Sequence, residues 1–271
     1  MQATKAISKD LTIDINMFLV KPRTRVKLRQ FDADSGKMEI GKMEQAEAQL
    51  ADLTNRISHL QYKLFADKSQ ALLIILQGIS MSGKGSTIRH VTEAFNPQSC
   101  RVVSFREPTT EEMGHDYLWR VHKALPSKGE IMIFNRSHYE DIIEVRVHNT
   151  ILPSIWSQRY KQINDFEQYL SENSIKIIKL YLHIGKDEQK KRLESTLKDP
   201  KKRWKITEKD IQELKHWDEY LKAYEDVLDR CSLSWAPWYI IPSNFKWFRN
   251  IVVATILVHT LESMNLSQNP R

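Results

Sequence analysis

The 271-residue sequence holds two cysteines, Cys100 and Cys231. Two thiols build neither a disulfide framework nor a four-cysteine zinc site, and such sparing use suits a reducing compartment. Glycine, at 8, and proline, at 9, are scarce. An all-β chain of many turns would carry more of both. Long apolar runs are missing: Ala71–Leu76 and Ile251–Val258 are the longest, far short of the roughly 18–20 residues of a transmembrane helix. The opening MQATKAISKDLTIDI has no apolar stretch of the secretory kind, so a cytoplasmic protein without a membrane partner is expected. What is present is enough to build a core. Apolar residues make up 41%, which excludes a disordered or collagenous chain, and the length suits one or two domains. Lys+Arg number 41 and Asp+Glu 34, a net charge of +7. That excess points to a polyanionic partner: nucleic acid, an anionic membrane or a phosphate-rich substrate.

Charge is concentrated at the start. Residues 1–30 hold seven basic and two acidic side chains, a balance of +5, most of it in Lys21-Pro-Arg-Thr-Arg-Val-Lys-Leu-Arg29. Residues 1–40 read as an extended basic arm, either solvated or lying on the body. Residues 41–68 read as an amphipathic helix. Met43, Ala46, Leu50, Leu53, Ile57, Leu60 and Leu64 alternate spacings of three and four, a heptad seam that serves a dimer or the chain's own core equally well. From residue 69 to 266 strands and helices alternate. Strands are predicted at Ala71–Gln77, Arg101–Phe105, Glu130–Phe134, Lys176–Ile184 and Trp238–Ile241. Helices are predicted at Gly85–Phe95, Thr110–Ala124, Ser137–His148, Ile155–Glu172, Lys186–Lys198, Thr207–Arg230 and Phe245–Met264. Ala71–Gln77 is apolar throughout, as a strand buried on both faces should be. The alternation argues for an α/β fold, a mainly parallel five-stranded sheet covered on both sides. In the helix over Thr207–Arg230, Ile211, Leu214, Trp217, Leu221, Tyr224 and Leu228 form one stripe, capped by Thr207-x-x-Asp210.

Chemistry enters with Gly78-Ile-Ser-Met-Ser-Gly83-Lys84, directly after the first strand and opening a helix. This is the G-x-x-x-x-G-K phosphate loop. Its glycines let backbone N–H groups turn around an anion, the helix N-terminus adds its positive end, and the lysine reaches phosphoryl oxygens. Ser82 lies within the loop. Gly85 stands where Ser or Thr normally touches the metal, so Ser86 and Thr87 become either displaced contacts or ordinary first-turn residues. The strand Glu130–Phe134 runs into Asn135-Arg-Ser-His-Tyr-Glu-Asp141. Phosphate-loop enzymes usually deliver a metal-binding carboxylate from such a strand; here the position is Asn135. Arg136 follows at the carboxyl end, where open α/β sheets bind ligands and a guanidinium can hold phosphate with two bonds. His138 and Tyr139 read as packing residues or as site residues, and Glu140 and Asp141 suit a helix start. Arg146 could close its helix or face phosphate. Asp199-Pro-Lys-Lys-Arg-Trp-Lys205 is a basic turn between helices, fit for a lid that shuts over phosphate at about residues 199–215.

Together with Asp116-Tyr-Leu-Trp-Arg-Val-His122, Trp235-Ala-Pro-Trp-Tyr239 and Lys246-Trp-Phe-Arg249, these strings resemble the polyphosphate kinase 2 family from about Lys21 to Leu261, and most of all its members that phosphorylate AMP and ADP. The resemblance implies a P-loop kinase-like three-layer sandwich with a helical lid. It implies Mg²⁺-dependent phosphoryl transfer between inorganic polyphosphate and AMP, ADP or ATP, in a homo-oligomer, dimer or tetramer. By motif alignment Lys84, Arg136, Asn135 and Ser80 fall on catalytic positions. Gly78, Ser82, Gly83, Gly85, Ser86, Thr87, Arg146, Lys201, Lys202 and Arg203 fall on phosphate- or nucleotide-binding ones. The family loop reads G-x-D-x-x-G-K, so Ser80 replaces its aspartate, and Mg²⁺ would lean on Glu107 or Asp116. A poorly held metal weakens charge stabilisation, so lowered activity is the expectation. Two other readings stand beside this one: an ATP-dependent nucleoside monophosphate kinase, and a non-catalytic polyphosphate-binding relative. Nucleic acid is not expected, because stacking aromatics do not interleave with the basic runs.

Overall fold

A computed structural model describes residues 13–35 and 40–267 and, of residues 40–43, the backbone alone. The first twelve residues of the basic arm, its residues 36–39 and the Met43 side chain of the heptad seam therefore lie outside the described part. Five strands, β1 (Ala71–Gln77), β2 (Cys100–Ser104), β3 (Ile131–Asn135), β4 (Ile175–His183) and β5 (Trp238–Pro242), form one sheet in the order β2-β3-β1-β4-β5. Every pairing is parallel, as predicted from the alternation of elements. The observed strands lie within about a residue of their predicted bounds.

The helices are α1 (Ile40–Asp67), α2 (Lys84–Thr92), α3 (Thr110–Met113), α4 (Trp119–Lys123), α5 (Glu140–Val147), α6 (Pro153–Trp156), α7 (Arg159–Glu172), α8 (Lys186–Lys198), α9 (Glu208–Gln212), α10 (Trp217–Cys231) and α11 (Lys246–Ser263). The period of two along each buried strand sorts side chains into two cores. Leu72, Ile74, Leu76, Ile178, Leu180 and Leu182 join residues of α1, α2 and α11 on one face. Leu73, Ile75, Phe134, Ile177 and Tyr181 join α5, α7 and α10 on the other. Three layers result. The heptad seam of α1 is spent inside this chain, since Ala46, Leu53, Ile57 and Leu64 are buried in the same core as α11.

Predicted helices break where local chemistry intervenes. Thr109 and Glu112 cap α3 reciprocally, and the Asp116 carboxylate accepts from the Leu118 N–H at 3.0 Å, so Thr110–Ala124 becomes two short helices. Thr207–Arg230 splits into α9, a 3₁₀ turn over Glu213–His216 and α10. The tighter turn shifts the stripe, leaving Ile211 exposed while Trp217, Leu221, Tyr224 and Leu228 stay buried. The part of the arm described lies on the body: Leu19 bridges Tyr239 in antiparallel sense, Arg29 pairs with Asp218 at 2.7 Å, and the Leu28 N–H donates to Glu225 at 2.8 Å.

One polar network crosses the second core. Lys179, in β4, is fully buried. Its ammonium donates to the Tyr139 hydroxyl at 2.9 Å, the Cys231 carbonyl at 2.7 Å and the Glu167 carboxylate. Glu167 also pairs with His138 at 3.1 Å. Burial would raise the Glu167 carboxyl, but Lys179 and His138 outweigh it and hold the group below its usual range. His138 and Tyr139 are thus packing residues, which anchor the segment after β3. Removing one partner of a buried ion pair strands the other charge, at about 3–5 kcal/mol. Glu167→Ala should lower unfolding stability by about that much in urea titrations, and Glu167→Ala with Lys179→Met should recover much of the loss.

Candidate active site

The sheet brings the ends of β1, β2 and β3 to one edge, with Leu76 level with Asn135 and Ser104 level with Asn135. The phosphate loop begins there. Gly78 has φ +149° and Gly83 φ +102°, conformations that favour glycine. Space demands glycine too. A Cβ on Gly78 would meet the Leu182 carbonyl and the Ser82 hydroxyl at 2.8 Å, and one on Gly83 would meet Nη1 of Arg249 at 2.2 Å. Gly85 differs, since nothing lies within 4 Å of a Cβ placed there.

Lys84 opens α2 and turns back onto the loop, its Nζ donating to the carbonyls of Gly78 at 2.5 Å and Ile79 at 3.2 Å. Burial, then the neighbouring Arg136, lowers its pKa to about 8. Arg192 grips the loop from outside, donating to the carbonyls of Met81 and Ser82 and to those of Ser243 and Asn244. The Ser82 side chain is buried without a partner. Ser86 and Thr87 both donate their hydroxyls to the Gly83 carbonyl, at 3.0 and 3.1 Å.

A cavity of about 620 Å³ opens beside the loop, a size that suits a nucleotide-scale ligand. Gly78, Ile79 and Ser80 form one wall, Asn135 and Arg136 another, and Thr207, Lys209 and Asp210 at the start of α9 a third. Arg136 takes a left-handed backbone, φ 64°, and meets Glu140 at 3.3 Å. Burial raises the Glu140 carboxyl to about 7, against the opposing pull of Arg136. Asn135 donates to the Ser104 hydroxyl at 3.1 Å, while its buried Oδ1 has no partner. The Ser80 hydroxyl donates to Oδ1 of Asp210 at 3.1 Å. The other oxygen of Asp210 accepts from the Thr207 N–H and hydroxyl at 2.9 and 2.7 Å. Glu107 stands at the rim, paired with Lys209 at 2.7 Å.

The structure gathers Arg136, Asn135, Ser80, Gly78 and Glu107 about one space; Lys84 is not among the lining residues, its ammonium lying on the carbonyls of Gly78 and Ile79. Others expected there lie elsewhere. Arg146 binds Asp226 at 2.5 Å and the Tyr160 hydroxyl at 3.1 Å, tying α5 to α10 and α7. Asp116 caps the backbone before α4 and does not line the cavity. Lys201, Lys202 and Arg203 are exposed on the lid turn, with Lys202 on Asp199 at 2.6 Å. Sequence reasoning assigned no chemistry to Asp210, Glu144, Glu213, Tyr220 and Tyr224, which also line the cavity. Asp210 had a signal only as a helix cap, Arg249 only as the end of the Lys246-Trp-Phe-Arg249 string, and Arg192 none that distinguished it from surface cations.

Comparison with known proteins places these features in context. The profile of the family described as Polyphosphate kinase 2 (PPK2) matches residues 41–269. A protein of Meiothermus ruber named AMP/ADP-polyphosphate phosphotransferase is 45% identical over 248 residues, 91% of this chain and 92% of that one. An ADP-polyphosphate phosphotransferase of Rhodopseudomonas palustris is 37% identical over 267 residues, 90% of this chain and 92% of that one. The crystal structure of polyphosphate kinase 2 from Arthrobacter aurescens TC1 superimposes with a TM-score of 0.87 at 36% identity, covering 93% of each chain.

The titrations of this cavity give a measurable sign. Above pH 8 the free protein loses the Lys84 charge, and above pH 7 it gains that of Glu140. Both changes oppose an anion, so affinity for tripolyphosphate should fall from pH 7 to 9 in calorimetric titrations. Lys84→Met should flatten the upper part of that fall and Glu140→Gln the lower part, while the ligand's own titration is common to all three proteins.

Proposed function

The chain belongs to the polyphosphate kinase 2 family, and from that premise we propose that it moves a phosphoryl group between inorganic polyphosphate and AMP or ADP. One observation carries the reading: Arg136 after β3 lines one cavity with Gly78, Ile79 and Ser80 of the phosphate loop, its remaining walls being the start of α9 and carboxylates, and Lys84 of that loop lies close enough to feel the charges of Arg136 and Glu140. Phosphoryl transfer between phosphate oxygens asks little covalent chemistry of a protein. The acceptor oxygen is already an anion, so no general base is needed; alignment and charge neutralisation remain. The first turn of α2 leaves backbone N–H groups without helical partners, directed at an anion. The Lys84 ammonium, now on two loop carbonyls, exchanges them for phosphoryl oxygens, and Arg136 spans the donor and acceptor phosphates.

A divalent cation, Mg²⁺, suits the donor set of the cavity. The unpartnered Oδ1 of Asn135, Oδ1 of Asp210 and the Glu140 carboxylate are hard oxygens of the kind that ion takes. When bound it supplies charge neutralisation to the phosphoryl group. Asp210 and Glu140 would hold it with Asn135, in place of the carboxylate that Ser80 lacks. Glu107 serves Lys209 at the lid and is a weaker candidate. No helix among the described residues is long and apolar enough to cross a membrane.

Incubation with polyphosphate, Mg²⁺ and AMP or ADP should yield ATP, followed by chromatography. Lys84→Ala should reduce turnover roughly 10²–10³-fold, the loss typical of removing one transition-state donor, with unchanged thermal unfolding. No product from the unmodified chain would overturn the assignment. Ser80→Asp sets a second carboxylate against Asp210, an arrangement that needs a cation between the two. The half-saturating Mg²⁺ concentration should therefore fall in that variant; an unchanged or higher value would show that the metal is held away from Ser80.

A further inference from the structure

Arg249, in the first turn of α11, is 1% exposed. Its Nε and Nη2 donate to the side chain of the adjacent Asn250 at 3.3 and 3.0 Å, and Nη1, also buried, has no partner. No carboxylate pairs with it among the described residues. Its charged neighbour is instead a second guanidinium, Arg192, which has Glu188 at 2.8 Å and four carbonyls to satisfy it. Burial first, then Arg192, lowers the Arg249 pKa to about 10. The unpartnered Nη1 lies against Gly83, the residue that caps α2.

A buried charge without a partner is costly, and proteins ordinarily pair or remove it. Packing alone does not explain this one, since a methionine of similar length would fill the space without the penalty. Hydrogen bonding does not either, because one N–H group is left over. What the position offers is positive potential immediately beneath the turn where phosphate would bind, in a region too dry for water to screen it. We propose that Arg249 is a positioning residue for the phosphate chain: its uncompensated guanidinium beneath Gly83 is neutralised by the phosphate that the loop binds. Arg192 shares the work differently. It turns the carbonyls of Met81 and Ser82 outward, and the peptide group it grips at Ser82 thereby aims the Gly83 N–H the opposite way. The two arginines orient the loop and charge it without touching the reacting atoms.

The inference rests on the reading of the loop as a phosphate site, and the two can fail separately. Tripolyphosphate binding by the unmodified full chain tests that reading alone. Arg249→Met and Arg249→Lys test this one, through thermal unfolding without ligand, tripolyphosphate calorimetry and steady-state kinetics. Removal of an uncompensated charge should leave the unfolding temperature of Arg249→Met unchanged or raised. Tripolyphosphate affinity should drop roughly tenfold or more, the scale of one nearby charge in a poorly screened site. KM for polyphosphate should rise more than kcat falls, and Arg249→Lys should restore most of the affinity. Two results would overturn the proposal. One is an Arg249→Met protein that unfolds earlier or fails to fold, which marks a structural plug. The other is a tripolyphosphate affinity within twofold of the original.

Discussion

The cations packed around the phosphate loop grip its carbonyl oxygens, Lys84 those of Gly78 and Ile79 and Arg192 those of Met81 and Ser82. A peptide group is rigid and planar, so a carbonyl drawn outward sends the following N–H inward. At Met81 and Ser82 the anion-binding face of the loop is in this way a consequence of Arg192 placed behind it, while Lys84 sits on the carbonyls of Gly78 and Ile79. The arrangement requires left-handed backbone, found at Met81 and Gly83, and close approach of side chains, which Gly78 and Gly83 permit. It also requires a stiff support. Strand β1 supplies that from the centre of a parallel sheet, every residue from Ala71 to Gln77 being buried.

The cavity beside the loop has the opposite character. Glu107, Glu140, Glu144, Asp210 and Glu213 all line it, against the cations Arg106, Arg136 and Lys209. A nucleotide alone would be repelled by so many carboxylates. A nucleotide carrying a divalent cation would not, and burial raises the Glu140 carboxyl to about 7 against the pull of Arg136. Charge is therefore divided along the path of transfer, with fixed cations under the loop and oxygen ligands around the opening.

The fold was largely legible in the sequence, because burial on both faces writes itself into runs such as Ala71–Gln77 and turns write themselves into Gly78 and Gly83. The loop lysine and Arg136 were legible for the same reason, as each sits beside a strand end. The helices that failed as single units failed for different reasons: in Thr110–Ala124 the Asp116 side chain outbids the helix for a backbone N–H, and in Thr207–Arg230 the winding changes to 3₁₀ at Glu213–His216. Arg146 shows the converse limit. Its spacing from Arg136 fits a phosphate channel, but tertiary structure gives it Asp226 and Tyr160, and no local pattern records a partner eighty residues away. Arg249 is hidden more deeply, because its significance lies in the partner it lacks.

Ser80 is the place where sequence and tertiary structure diverge most usefully. Along the chain it removes a carboxylate from the loop; in space a carboxylate returns, from Asp210 of the lid. One oxygen of Asp210 completes the cap of α9 with Thr207, and the other meets Ser80. The two oxygens belong to one planar group, so the orientation that folds the start of the lid helix is also the orientation that reaches the loop. A segment folded in this way holds its carboxylate already aimed at the loop, with little side-chain entropy left to lose. A loop aspartate, by contrast, would put a charge beside Asp210 before any cation was there. Serine meets Asp210 through a neutral hydroxyl donor, so no second charge is set beside that carboxylate.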